Sequence, residues 1–171
     1  YLPPGYLDAL KDFAARSGSH VMFGIPMSDA PGQYANSVAG YAPSGAGYRY
    51  DKHHLVPFGE FVPPGFRWFV DMMAIPLGDM ARGAPVQTAF AVKDQLVLPN
   101  VCYEDVFGEE IAMQLRSMSR PATMMLNVSN LAWFGESATH LRSMTQIALR
   151  QPDGVCFGLL LMASEDPHRF Y

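Results

Sequence analysis

Cys102 is the residue in this sequence whose type and setting best suit nucleophilic chemistry. It follows the apolar run at residues 96–101 and precedes a stretch that is compatible with a helix. A thiol at such an elbow is held rigidly, and the partial positive charge at a helix N-terminus stabilises thiolate over thiol. The alternative is a small, buried, apolar cysteine, as most lone cysteines are. The neighbouring residues decide between these two interpretations.

Three charged residues lie in the segments that could serve this thiol. Lys52 follows a predicted strand and precedes an apolar segment braced by prolines, so it could be a fixed cation that stabilises a thiolate and an oxyanion. Glu60 and Glu104 are carboxylates in the same two segments, and a base beside a thiol is the usual arrangement that activates it. In an extended stretch, Glu104 would point the same way as Cys102. Taken singly, each of the three is also compatible with a surface charge or a structural ion pair.

Histidines offer another kind of base, and a possible metal site. His53 and His54 are adjacent, so they would point to opposite faces of a strand, and the cysteines lack the spacing of a zinc site. We therefore expect no metal and no other cofactor. A Cys–His dyad with His53, His54 or His140 as the base stays open. Cys102 and Cys156 are not expected to form a disulfide, because that bond would consume the nucleophile.

The composition is that of a folded domain. Of 171 residues, 49% are hydrophobic and 16% charged, and the net charge is −4, so a disordered chain and a nucleic-acid-binding protein are both excluded. The longest apolar run, residues 155–163, is shorter than the roughly 20 residues of a membrane-spanning helix. Residues 1–5 do not have the pattern of a signal peptide, and we expect the chain to be cut from a longer protein.

The elements that must position these residues alternate along the chain. Apolar residues at helical spacing predict helices over residues 6–16, 109–118 and 140–150. Pro26 is expected to end the first strand, with a turn over residues 28–32, and a glycine-rich loop at residues 44–47 predicts a hairpin. Apolar runs predict strands over residues 20–25, 34–41, 48–50, 88–92, 95–101 and 122–128. This alternation favours an α/β sandwich.

Between these elements lies an unusually aromatic segment, residues 60–83. As part of a core it would be unremarkable, but as an exposed excursion it would be an apolar patch typical of a lipid or partner surface. We call it the apolar arm. Its large apolar side chains include Phe61, Phe66, Trp68, Phe69, Met72 and Met73.

Several blocks of the sequence resemble a known family. Residues 50–63 (YDKHHLVPFGEFVP) resemble a lysine motif, residues 101–105 (VCYED) a nucleophile motif, and residues 127–135 (NVSNLAWFG) a third signature. The blocks at residues 24–26 and 34–37 resemble the strands that precede the lysine. The family is the carbon–nitrogen hydrolase (nitrilase) superfamily, and the closer resemblance is to its lipid-modifying branch, the apolipoprotein N-acyltransferases.

The resemblance implies an α/β fold and a role for each candidate residue. The fold is a nitrilase-like α-β-β-α sandwich, incomplete at the N-terminal strand and at the C-terminal end, with the family domain over residues 1–150 and a divergent tail over residues 151–171. Cys102 becomes the acyl-accepting nucleophile and Lys52 the oxyanion-stabilising cation. Glu60 and Glu104 become supporting carboxylates.

The resemblance also implies substrates and a location. A phospholipid would donate an acyl chain to the cysteine as a thioester, and a diacylglyceryl-modified lipoprotein would accept it at its N-terminal amine. The apolar arm would contact lipid, and helices outside this chain would span the bacterial inner membrane, with the domain on the periplasmic side. The alternatives are a soluble amidase or nitrilase that hydrolyses small C–N bonds, and a non-catalytic remnant with the same fold.

Three departures from the family pattern accompany the resemblance. The family's general-base glutamate is expected on a strand before the first helix, upstream of this sequence. Leu131 stands where an aspartate is expected, and residues 151–161 lack the arginine-rich strand and Asn-x-Gly turn of the family. The isolated chain is therefore expected to be an inactive fragment.

Overall fold

The computed structural model describes residues 4–72, 79–129 and 156–161, which form three helices, a 3₁₀ helix and seven strands. Strands 1 to 3 form one antiparallel sheet, and strands 4 to 7 form a second sheet in that order. The elements are α1 (Tyr6–Ser17), β1 (Val21–Ala30), β2 (Gln33–Tyr41), β3 (Gly47–Asp51), α2 (Arg67–Met72), β4 (Phe90–Val92), β5 (Gln95–Val101), the 3₁₀ helix (Cys102–Val106), α3 (Gly108–Ser117), β6 (Met124–Ser129) and β7 (Cys156–Leu161).

The first sheet consists of two hairpins. The predicted hairpin between β2 and β3 is confirmed, with Tyr41 paired to Gly47 across the glycine-rich loop. The prediction that Pro26 ends the first strand is wrong, because β1 continues to Ala30 and the turn is shorter than expected. Among the described residues β1 pairs only with β2, and a strand at a sheet edge tolerates proline because one side of its backbone needs no partner.

The second sheet combines an antiparallel hairpin with parallel strands. Strands β4 and β5 are joined by a two-residue turn in which Lys93 is left-handed, with φ of 56°. Strand β5 then runs parallel to β6, with α3 as the crossover, and β6 runs parallel to β7. Parallel neighbours need such a crossover. The carboxyl ends of β5 and β6 therefore lie at the same edge of the sheet, which brings residues 102 and 129 to that edge.

The two sheets pack face to face. Their shared core contains Val38 and Tyr50 from the first sheet and Val101 and Val128 from the second, all at most 5% exposed. Helix α1 lies against β1 and β2, and residues of α3 line a small cavity together with residues of β5 and β6. The predicted α/β sandwich is confirmed for the described residues. Its core includes Val101, the last residue of β5.

Most of the remaining element predictions are confirmed. Helices α1 and α3 and strands β2 to β6 lie within a few residues of the expected positions. The predicted helix at residues 140–150 and Leu131 lie outside the described residues. Within the segment predicted to be a divergent tail, Cys156–Leu161 pairs with β6 as the last strand of the second sheet, and the domain boundary at residue 150 stays a prediction.

Candidate active site

Cys102 occupies the predicted elbow between β5 and the 3₁₀ helix. Its φ is 53°, a left-handed conformation that non-glycine residues rarely adopt and that costs of order 1–3 kcal/mol. The surroundings hold it there, because the side-chain amide of Asn127 donates to the Cys102 carbonyl oxygen at 2.8 Å. The thiol is free and partly buried, and it packs beside the shared core of the two sheets. Such strain is typical of a functional position.

Lys52 is a buried cation with a dedicated counterion. It follows β3, its side chain is 1% exposed, and its Nζ lies 2.7 Å from Oε2 of Glu60, whose side chain is 12% exposed. A buried charge is tolerated only when it is paired and hydrogen-bonded, which this ion pair provides. The interpretation of Lys52 as an ordinary surface lysine is therefore wrong.

The Glu60 carboxylate is fully engaged by neighbouring groups. Asn36 Nδ2 donates to Oε1 at 2.9 Å, and the Val56 backbone N–H donates to Oε2 at 2.9 Å, beside Lys52. Asn36 also holds Lys52 directly, since the Lys52 N–H donates to the Asn36 carbonyl at 2.8 Å. This arrangement suits a carboxylate that positions a lysine. Asn36 is not among the residues predicted for the site, and its only signal in the sequence is its place in the block at residues 34–37.

Glu104 joins the Lys52 loop to the elbow. Its Oε1 accepts the backbone N–H groups of His53 and His54 at 2.7 and 3.0 Å. Its Oε2 accepts the Val101 N–H at 2.7 Å and the Tyr50 hydroxyl at 3.1 Å. Glu104 is 5% exposed, so these four donors replace the hydration of its carboxylate. One oxygen of Glu104 thus binds His53, the residue after Lys52, and the other binds Val101, the residue before Cys102.

The expected orientation of Glu104 is wrong. The prediction assumed an extended chain from Cys102 to Glu104, whereas these residues form a 3₁₀ helix that turns the carboxylate back onto Val101. The same environment acts on Tyr50, since burial, and then the charge of Glu104, raise the pKa of its phenol above the ordinary value of 10.0. Glu104 is therefore a bridging carboxylate between two segments, and its oxygens are already occupied by donors.

The histidines bond to other groups. His53 Nδ1 lies 2.7 Å from the Gly83 carbonyl oxygen. His54 Nδ1 lies 3.0 Å from Glu110 Oε1, and its ring stacks on Phe107 with centroids 3.5 Å apart. His140 lies outside the described residues. In residues 4–72, 79–129 and 156–161, no group of three or more His, Cys, Asp or Glu is placed to hold a metal ion. The rings of His53 and His54 thus bond to Gly83 and Glu110, whereas the hydrogen bonds described for the site are made by Lys52, Glu60 and Glu104.

The apolar arm begins at Glu60, and four of its large apolar side chains are exposed. Phe61 is partly buried beneath the Arg82 guanidinium, at 5.8 Å from its ring centroid, and Val70 is buried. Met73 lies outside the described residues. Among the residues that are described, no helix is long and apolar enough to cross a membrane. The exposed members are Phe66 at 49%, Trp68 at 65%, Phe69 at 39% and Met72 at 64%. The arm is therefore an exposed apolar surface beside the buried ion pair.

The family of this chain is identified by its sequence. The sequence profile of the carbon–nitrogen hydrolases matches residues 4–162. The chain belongs to the carbon–nitrogen hydrolase family. Two solved structures share the fold. A CN-hydrolase superfamily protein of Xanthomonas campestris with an arsenic adduct in its active site has a TM-score of 0.64 and 18% identity, and the match covers 95% of this chain and 55% of that one. A variant of the Nesterenkonia AN1 amidase has a TM-score of 0.60 and 15% identity, and the match covers 90% of this chain and 52% of that one.

Curated relatives within this family are much closer in sequence. An apolipoprotein N-acyltransferase of Ralstonia nicotianae is 57% identical over 130 residues, which are 75% of this chain and 25% of the relative. Another, of Bordetella bronchiseptica, is 46% identical over 153 residues, covering 80% of this chain and 28% of the relative. This carbon–nitrogen hydrolase chain therefore spans about a quarter of the length of these relatives.

Proposed function

We propose that this domain carries out the acyl transfer of an apolipoprotein N-acyltransferase. The Cys102 sulfur attacks an ester carbonyl of a phospholipid, a C–S bond forms, and the ester C–O bond breaks to release a lysophospholipid, which takes up a proton. The α-amine of a diacylglyceryl-modified lipoprotein then attacks the thioester. An amide forms, the C–S bond breaks, and the amine's proton is released as the thiolate returns.

The observation that carries this proposal is the apolar arm beside the buried ion pair. A hydrolase of small soluble amides has no use for four large, exposed apolar side chains that follow its lysine motif. An enzyme whose donor and acceptor both carry acyl chains does, because burying aromatic surface in lipid is favourable by about 25 cal/mol per Å². The names of the relatives in Ralstonia and Bordetella support the same substrate class.

Lys52 and Cys102 carry the chemistry of this proposal. Each transfer passes through a tetrahedral intermediate with an oxyanion, and a desolvated cation stabilises that charge far better than a solvated one. Glu60 holds Lys52 in place at 2.7 Å, and Glu104 holds the lysine loop against the elbow through the His53 and Val101 amides. A thioester retains its potential for acyl transfer while one lipid leaves and another arrives.

The partners and the location follow from the same proposal. The donor is a phospholipid and the acceptor a diacylglyceryl-modified lipoprotein, so the domain works at the surface of the bacterial inner membrane, on its periplasmic side. The apolar arm, including Phe61, Phe66 and Trp68, enters the lipid there. Membrane-spanning segments of the longer protein anchor it.

The experiment uses the intact protein with phospholipid that carries a labelled acyl chain. We expect a labelled, hydroxylamine-sensitive adduct at Cys102, detected by mass spectrometry and lost in Cys102→Ala. Lys52→Met is expected to lower the rate of adduct formation by about 10²- to 10³-fold, as loss of an oxyanion partner does. Lys93→Met is the matched control, because Lys93 is an exposed lysine in the β4–β5 turn. Turnover of short amides with no acyl adduct from lipid would instead identify a soluble amidase.

A further inference from the structure

The last five residues of the apolar arm and the four residues that follow it cross the loop that carries Lys52. This return segment, residues 79–87, is irregular in conformation. Its first residue, Asp79, pairs with Arg67 at the start of α2 and accepts the Val62 N–H at 2.9 Å. Asp79 therefore ties the segment to an earlier part of the arm. The residues that follow Asp79 contact the candidate site.

The return segment bonds to the backbone around Lys52. The Gly83 N–H donates to the Lys52 carbonyl oxygen at 2.9 Å, and Arg82 Nη1 donates to the His53 carbonyl oxygen at 2.9 Å. A Cβ atom on Gly83 would overlap the backbone carbonyl of Asp51, so only glycine permits this close approach. Because the Gly83 contact is between backbone groups, the Lys52 loop has little freedom to shift at this point.

Gln87 adds a two-point bond at the end of β3. Its Oε1 accepts the Asp51 N–H at 2.9 Å, and its Nε2 donates to the Asp51 carbonyl oxygen at 2.6 Å. Nε2 also donates to the Ala84 carbonyl at 3.0 Å. A side-chain amide that pairs with both polar groups of one residue imitates a neighbouring strand and fixes the peptide planes on both sides of Asp51. The second of those planes ends at the nitrogen of Lys52.

The same segment holds the other member of the ion pair. The Met80 N–H donates to the Glu60 carbonyl oxygen at 2.7 Å. The backbones of Lys52 and Glu60 are thus both bonded to residues 79–87, while their side chains meet at 2.7 Å. Since a lysine side chain has four rotatable bonds, the position of Nζ depends on an anchored backbone as well as on its counterion.

We propose that Gln87 is a positioning residue for Lys52, acting through the backbone of Asp51 during acyl transfer. This inference rests on the proposed function, because it concerns the rate of that reaction. A displacement of about 1 Å in a reacting group costs up to about 10²-fold in rate. Loss of the Gln87 amide is therefore expected to slow acyl-enzyme formation by about 10- to 100-fold.

The test compares Gln87→Ala and Gln87→Met in the intact protein. Methionine keeps the length and volume of the side chain but makes neither bond to Asp51, so both variants are expected to lose kcat equally, with KM for phospholipid within about twofold of wild type. Gln33→Ala is the matched control, because Gln33 is exposed on β2. Hydrogen exchange at the Asp51 amide is expected to be at least about tenfold faster in both Gln87 variants.

Three results would overturn the inference: wild-type kcat in both variants, full rescue by methionine, or a loss of kcat that disappears after correction for the folded fraction. Rescue by methionine would mean that the side chain contributes only packing. If the wild-type protein forms no acyl adduct at all, the proposed function fails, and the exchange of the Asp51 amide still decides whether Gln87 anchors this loop. The two failures are thereby distinguishable.

Discussion

Replacing Glu104 by glutamine tests whether one carboxylate holds the Lys52 loop against the elbow. The two side chains have the same shape, but the amide offers one acceptor oxygen where the carboxylate offers two. The preferred orientation places the new NH₂ group at the position of Oε2, where the Tyr50 hydroxyl can rotate to accept it. The Val101 N–H, which is buried and bonds to Oε2 at 2.7 Å, then loses its acceptor.

The magnitude follows from these bonds. A hydrogen bond to a charged group contributes about 1.5–3 kcal/mol, so the loss at Val101 costs about 2 kcal/mol. The bonds from the His53 and His54 amides change from charge-assisted to neutral, which roughly halves each and costs about 1 kcal/mol apiece. The sum is about 4 kcal/mol, and at 1.4 kcal/mol per tenfold it corresponds to roughly 10²- to 10³-fold easier local opening.

The assay is amide hydrogen exchange of the intact protein, followed by mass spectrometry. Peptides that contain Val101, His53 and His54 are expected to exchange roughly 10²- to 10³-fold faster in Glu104→Gln, with the largest change at Val101. The matched control is Glu109→Gln, which makes the same change at an exposed residue of α3 and is expected to leave these amides unchanged.

Two outcomes would refute the reasoning about Glu104. Exchange at Val101 within about threefold of wild type would show that its N–H does not depend on the carboxylate. Uniform acceleration across both sheets would show that the substitution destabilises the whole domain, in which case Glu104 is not a local clamp between the two segments.

Three further predictions concern the ion pair, the arm and alkaline stability. Glu60→Gln leaves the buried Lys52 charge without its counterion, and acyl-enzyme formation is expected to fall by about 10²-fold; unchanged rates would exclude the ion pair from the reaction. Trp68→Ser is expected to weaken binding to phospholipid vesicles in a flotation assay, whereas Val86→Ser, at an exposed apolar residue outside the arm, is not; equal effects would argue against lipid contact by the arm. Because the pKa of Tyr50 is raised in the folded state, its contribution to stability is complete below the ordinary value of 10.0 and is lost as the pH rises above it. Thermal midpoints at about pH 9 and about pH 11 should differ less in Tyr50→Phe than in wild type; an equal difference would contradict the assignment.

Much of the fold could be predicted from local sequence patterns. Apolar residues at helical spacing located α1 and α3, and apolar runs located the strands, because amphipathic periodicity depends on which face of an element is buried. Pro26 shows the limit of this reasoning. A proline cannot donate a hydrogen bond to a neighbouring strand, so a strand accepts it only where that side of the backbone has no partner, and which positions lack a partner is a property of the assembled sheet.

The candidate site divides in the same way. The sequence by itself determined that Cys102 stands at the end of an apolar strand and that Lys52 and Glu60 share one proline-braced block. Tertiary structure alone decided that Lys52 is buried on Glu60, that Glu104 turns back to bridge two segments, and that Gln87 reaches Asp51 from 36 residues away. A local pattern encodes the type and spacing of residues. A buried charge bonds to donors and acceptors that are distant in sequence, and these come within hydrogen-bonding distance only when the sheets have packed.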